Sequence, residues 1–268
     1  MFKAERDHPI GVFDSGLGGL TVVKALRRML PHEHIVYFGD TARVPYGTKS
    51  KEAIIRFSKE NVRFLLQHNV KMVVVACNSS SSYALNALKK SFRLPITGVI
   101  EAGVKRAVSS TRNKVIGIVA TQATIASGAY QRKIKALKST VKVIGQACPL
   151  FVPLAEEGWF RNKATQMIAR EYLTIIRRSK ADTVILGCTH YPLLKPVFRR
   201  ILGRRVTLID SAQEVALEVR EFLTKIDKDR LTKTRGRTEF YVSDMPSHFS
   251  RTAARFLGYQ IRNVKRIS

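Results

Sequence analysis

The sequence predicts an α/β fold of two similar domains, each a mainly parallel sheet flanked by helices, with an active site in the cleft between them. Two observations carry this expectation. Short apolar runs alternate with stretches of helical periodicity along the chain, the pattern of strands joined by crossover helices. The pattern also restarts near residue 114, so that "VVVACNSSSS" (73–82) and "VILGCTHYPLL" (184–194), two apolar runs ending in a cysteine and polar residues, hold corresponding places.

In the first series, "IGVFD" (10–14), "HIVYFGD" (34–40), "KMVVVAC" (71–77) and "PITGVI" (95–100) are apolar runs of strand length, as expected for strands buried on both faces. Between them, "LTVVKALRRML" (20–30) repeats apolar residues at helical spacing, and "SKEAIIRFSKENVRFLLQHN" (50–69) opens on a serine that can cap a helix N-terminus. The second series is "KVIGIVA" (114–120), "KVIGQA" (142–147), "DTVILGC" (182–188) and "RVTLID" (205–210), with helices near 124–138 and 162–179. A last pair, "EFYVSD" (239–244) and "YQIRNVK" (259–265), closes the chain. No low-complexity linker marks a boundary. The expected division is 1–99 plus 210–268 for the first domain and 100–209 for the second.

Composition narrows the function. With 268 residues and 45% hydrophobic content the chain can bury a proper core. No run approaches the roughly 18 apolar residues of a membrane span, and "MFKAERDHPI" lacks the apolar stretch of a signal peptide, so a soluble, cytoplasmic protein is expected. Three cysteines, Cys77, Cys148 and Cys188, with no CxxC pair, exclude a disulfide scaffold and leave free thiols for chemistry. The net charge of +27 would hold anions near the surface. Its densest clusters, "FRRILGRR" (198–205) and "KIDKDRLTKTRGR" (225–237), lack the interleaved aromatics of a single-strand platform. They read as solvated surface, with a basic nucleic-acid-associated protein as the alternative.

In parallel α/β sheets, functional residues gather past the carboxyl ends of the strands. Asp14, Ser15, residues 40–47, Cys77 to Ser82, Thr121 and Cys188 to His190 all fall there. "DSGLGG" invites a dinucleotide reading that fails, because Thr21 stands where a third glycine is needed and a carboxylate opens the segment. Its glycines read instead as a tight turn at positive φ, with Asp14 placed to cap the helix that follows.

Cys148, in "GQACPLF", reads as core packing. Cys77 and Cys188 differ, since each ends a strand and precedes hydrogen-bonding side chains: Asn78 and Ser79, or Thr189 and His190. Cys188 and His190 lack the further close ligand pair of a structural zinc site, so no metal is expected. A thiol hydrolase would use one cysteine and leave the other idle. Two thiols at matching places suit a reaction with two mirror-related tasks, such as inverting a stereocentre. One base removes the Cα proton from one face, and a conjugate acid returns a proton to the other. A thiol pKa of about 8.5 can be tuned so that both protonation states are accessible.

"VFDSGLGG", "GDTARVPYG", "VACNSSS", "FVPLAEEG" and "GCTHYP" resemble, in order and spacing, the signatures of the glutamate racemase family, within the aspartate/glutamate racemase superfamily. The resemblance runs from about residue 9 to the C-terminus. It implies a cofactor-independent isomerase that interconverts L- and D-glutamate by two-thiol proton transfer at Cα, supplying D-glutamate for peptidoglycan, with a homodimer as the expected assembly. It also implies that Cys77 and Cys188 are the acid/base thiols, Cys77 serving D-glutamate and Cys188 L-glutamate. Asp14 would assist near Cys77, and Glu156 and His190 near Cys188. Substrate would be held by Asp14, Ser15, Tyr46, Gly47, Asn78, Ser79, Thr121, Thr124, Thr189 and His190. Relatives usually carry threonine where this chain has Ser79, so the hydroxyl is kept and a methyl is lost. The alternative within the superfamily is an aspartate racemase. Some relatives also act on DNA gyrase, an activity that no sequence feature here supports.

The residues themselves agree with this implication. Hydroxyl, amide and backbone donors aimed at charge developing on a carboxylate favour a carbanion-like transition state over a tightly held ground state. No lysine stands in the strand-end motifs where a Schiff base would form.

Overall fold

A computed structural model describes residues 5–267. The first apolar series builds β1 (Ile10–Asp14), α1 (Leu20–Met29), β2 (Ile35–Gly39), α2 (Lys51–Leu66), β3 (Met72–Val75), α3 (Asn78–Tyr83), α4 (Leu85–Ser91) and β4 (Ile96–Gly98). Helix α5 (Val99–Ser110) leads to the second series: β5 (Val115–Ala120), α6 (Gln122–Ala126), α7 (Ala129–Leu137), β6 (Lys142–Ala147), α8 (Phe151–Glu156), α9 (Lys163–Arg178), β7 (Thr183–Gly187), α10 (Lys195–Leu202) and β8 (Thr207–Asp210). The chain then returns through α11 (Ser211–Lys225), β9 (Thr238–Val242), α12 (Pro246–Leu257) and β10 (Val264–Arg266).

These strands form two sheets, ordered β10-β9-β2-β1-β3-β4 and β6-β5-β7-β8, with parallel pairing throughout. The four-strand order is the same in both: second, first, third, fourth. Cys77 follows the third strand of one sheet and Cys188 the third strand of the other. Register pairs Phe13 with Val75 and Ala120 with Gly187. Continuing it brings Ser15 beside Cys77 and Thr121 beside Cys188.

The unbroken apolar runs are explained by burial on both faces. Along β3, Met72 and Val74 join the core beneath α1, α11 and α12, while Val73 and Val75 join the core beneath α2 and α4. Along the second sheet, Val184 and Leu186 face α9 and α10, and Ile185 faces α5 and α7. Among the described residues, no helix is long and apolar enough to cross a membrane.

Some expected elements are corrected. The run "PITGVI" pairs only over Ile96–Gly98, because Ser81 Oγ accepts from the Val99 N–H at 3.4 Å and α5 begins there. The helix expected over 124–138 is broken by Gly128 at φ +63° into α6 and α7. Of 259–265 only the end joins a sheet, after Asn263 turns at φ +63°. Ser50 caps α2 as expected, accepting from the Ala53 N–H at 3.2 Å.

Candidate active site

The polar segments after β1, β3, β5 and β7 converge on one cleft of about 630 Å³, its mouth included. Ser15, Tyr46, Gly47, Cys77, Asn78, Ser79, Thr121, Cys188, Thr189 and His190 line it. Asp14, Thr124 and Glu156 stand behind this layer and act on it through neighbours. Sequence reasoning missed Thr48, Gln122, Pro149, Val152 and Pro153, which complete the walls. Among the described residues, neither lysine nor arginine lines the cleft, despite the overall charge.

The first thiol is held at the start of α3. Cys77 precedes the helix with extended backbone, and its sulfur is 3.8 Å from Ser15 Oγ. Burial pushes its pKa up to about 12, and the neighbouring Asp14 charge adds to this against weaker help from Ser80 and Ser15. Asp14 is itself fully buried at the end of β1. Desolvation raises its pKa, opposed by His190 and by the backbone N–H groups of Gly19 and Gly16. Its Oδ2 accepts from the Gly16 N–H at 3.1 Å, and Oδ1 has no partner among the described residues. Asp14 does not cap α1, which begins after Gly19 without a side-chain cap.

The second thiol has a longer chain of partners. Cys188 Sγ is 3.8 Å from His190 Nδ1, and His190 Nε2 is 2.9 Å from Glu156 Oε1. Burial disfavours the imidazolium, yet the hydrogen bonds and charges of Cys188 and Glu156 outweigh it and push the His190 pKa up to about 10. The same two partners thus favour the protonated ring beside the Cys188 sulfur. Cys148 plays no part. It is buried in the core beside Phe151 and Tyr191, its thiol directed to the Gln146 carbonyl at 3.6 Å.

Hydroxyl groups knit the walls together. Ser79 Oγ lies 3.1 Å from Thr121 Oγ1 and 3.3 Å from Thr124 Oγ1, and the two threonines bond each other at 3.0 Å. This triangle joins α3 to α6 across the two sheets. Tyr130, unmarked by any local sequence signal, donates its phenol to Asn78 Oδ1 at 2.7 Å, leaving the Asn78 amide N–H₂ for the cleft. Tyr46 lines the cleft as expected, but its phenol is engaged away from it. Its phenol donates to Asp40 Oδ2 and accepts from Asn61 Nδ2 at 3.2 Å, so only its ring and backbone face the cleft.

The glycines also act differently from the turn reading. Gly16, Gly18 and Gly19 are not among the positive-φ glycines. A Cβ on Gly18 would fall 2.0 Å from Thr189 Oγ1 and 2.6 Å from His190 Nδ1, and one on Gly19 would fall 2.5 Å from Asp14 Cβ. Gly47 would likewise meet Thr121 Cβ at 2.8 Å. Gly18 and Gly47 are close-approach residues that let one sheet's loops press against the other's, while Gly19 lets α1 begin against Asp14 and Tyr37 of its own unit.

The profile of the Asp/Glu/hydantoin racemase family matches residues 10–219. A glutamate racemase of Geobacter metallireducens is 48% identical over 259 residues, covering 97% of this chain and 96% of that one. The crystal structure of a glutamate racemase from Bacillus anthracis superposes with a TM-score of 0.94 at 37% identity, covering 98% of both chains. A glutamate racemase from Francisella tularensis, solved in complex with D-glutamate, gives a TM-score of 0.92 at 37% identity, again over 98% of both. With a profile matched over most of its length and relatives similar from end to end, the chain belongs to the Asp/Glu/hydantoin racemase family, among the glutamate racemases.

Proposed function

We propose that the chain interconverts L- and D-glutamate by proton transfer at Cα between Cys77 and Cys188, and so supplies D-glutamate for the cell wall. The observation that carries this reading is the pair of thiols lining one cleft from equivalent strands of two sheets, each with its own polar partner. The Francisella relative's complex with D-glutamate supports the substrate class. Glutamate rather than aspartate is favoured by relatives that are named glutamate racemases.

In this mechanism Cys188 as thiolate takes the Cα proton from L-glutamate, and Cys77, a thiol at rest, then delivers its proton to the opposite face. The bonding pair remains on Cα throughout, and the thiols exchange protonation states. Reversal begins from Cys77. Ser79, Thr121, the Asn78 amide and the cleft's backbone N–H groups would receive the α-carboxylate, whose charge grows in the transition state. Asp14 would assist Cys77, while His190 and Glu156 would balance charge at Cys188. Two units, 1–99 plus 210–268 and 100–209, would each bring one thiol, and a homodimer is the expected assembly, which sedimentation velocity checks.

Circular dichroism of purified protein with each glutamate enantiomer, without added cofactor, is expected to show decay to a racemic mixture. In heavy water, product should carry deuterium at Cα while recovered substrate carries little at early times. Cys77→Ser and Cys188→Ser should each lower racemisation by about 10²–10⁴-fold, the usual contribution of a positioned acid or base. Near wild-type racemisation by either variant would defeat the mechanism.

A further inference from the structure

Helix α12 reaches the Cys188 group from outside the cleft. Phe256 holds its ring perpendicular to the His190 imidazole, with centroids 5.3 Å apart and an interplanar angle of 90°. Beside it, the Arg255 guanidinium donates to the backbone carbonyl of Glu156. Glu156 is the last residue of α8, where carbonyls lack intrahelical partners and the helix dipole disfavours a carboxylate. An arginine at that carbonyl answers both problems. Gly158 makes room for it: φ is +77°, and a Cβ there would stand 3.2 Å from Arg255 Nε.

The contact joins two parts of the molecule that nothing in the local sequence connects. Helix α12 packs against α1 and belongs with the first sheet, whereas α8 belongs with the second. It also lies beyond the residues matched by the family profile. We propose that Arg255, seconded by Phe256, is a positioning residue that fixes the Glu156–His190 pair against Cys188, tying alignment of this acid/base group to the seating of α12. The proposal rests on the two-thiol reading. Without the guanidinium, the Glu156 carbonyl loses its partner next to the Gly158 turn, and the carboxylate that holds His190 Nε2 is free to drift. The proton transfers at Cys188 then slow, while those at Cys77 do not.

Enantiomers have equal energy, so kcat/KM must fall equally in both directions and cannot locate the defect. Primary isotope effects from Cα-deuterated substrates can. If transfer at Cys188 is slowed, the effect rises with the enantiomer that Cys188 deprotonates and falls with the other. Arg255→Met is expected to lower kcat about tenfold with little change in KM, on the scale that small misalignments cost, and to move the two isotope effects apart. Arg255→Lys, which keeps a donor, should recover much of the rate, and Gly158→Ala should imitate Arg255→Met. Wild-type kcat and isotope effects in Arg255→Met would overturn the proposal, as would isotope effects that move together, whatever happens to the melting temperature. Racemisation that survived Cys188→Ser would instead remove the two-thiol reading beneath it.

Discussion

At the scale of single residues, the two thiols were legible because each breaks an apolar strand run into hydrogen-bonding side chains, and a sheet delivers such residues to its carboxyl edge. Tyr130 and Arg255 were not, since they meet Asn78 and Glu156 across 52 and 99 residues and no local pattern encodes the contact. The glycines were noticed for an incorrect reason: a clash between Gly18 and Thr189 depends on two loops meeting, which local reasoning about φ does not reach. His190 offers a test of the site's electrostatics. Its pKa is raised from 6.5 to about 10, so the stability it contributes is complete below pH 6.5 and lost as pH rises through about 10. Urea unfolding across that window should show wild-type stability falling relative to His190→Asn, and parallel curves would contradict the assigned ionisation.

At the scale of elements, each of the ten runs contributes a strand, most plainly β1, β2, β3 and β7, whose burial on both faces writes a continuous apolar signal. Several helices escaped notice. α3 and α8 have six residues each, too short for a helical period to emerge, yet they carry Asn78, Ser79 and Glu156. Where a cap was legible, its cost is predictable: Ser50→Ala should destabilise by about 1 kcal/mol in denaturant unfolding without affecting turnover. The contact between the loop after β1 and the segment after β7 is stricter. Gly18→Ala forces a methyl into Thr189 and His190, and about a 10²-fold loss of kcat is expected, since displacing a catalytic group by about 1 Å costs that much. Steady-state kinetics with both enantiomers measures it, and an active, well-folded variant would refute close approach as the reason for this glycine.

For the whole molecule, the +27 charge and a cleft lined by neither lysine nor arginine belong to different places. The field can gather an anionic substrate without a lysine or arginine gripping it at the site. DNA should bind weakly, without sequence preference, and with affinity falling steeply as salt increases. Fluorescence anisotropy with duplexes of unrelated sequence checks this, and tight binding to one of them at physiological salt would contradict it. The shared strand order has a further consequence, for synthesis on the ribosome. Strands β5 to β8 are contiguous, so the sheet that carries Cys188 can close while the chain is still growing. The sheet that carries Cys77 must wait, because β9, which pairs with β2, is not made until residues 238–242 emerge. Until then β2 is an open edge, the kind of surface through which unfinished chains stick to one another. A nascent chain stalled before residue 238 should therefore aggregate more readily than the finished protein, the hazard residing in the half that was started first.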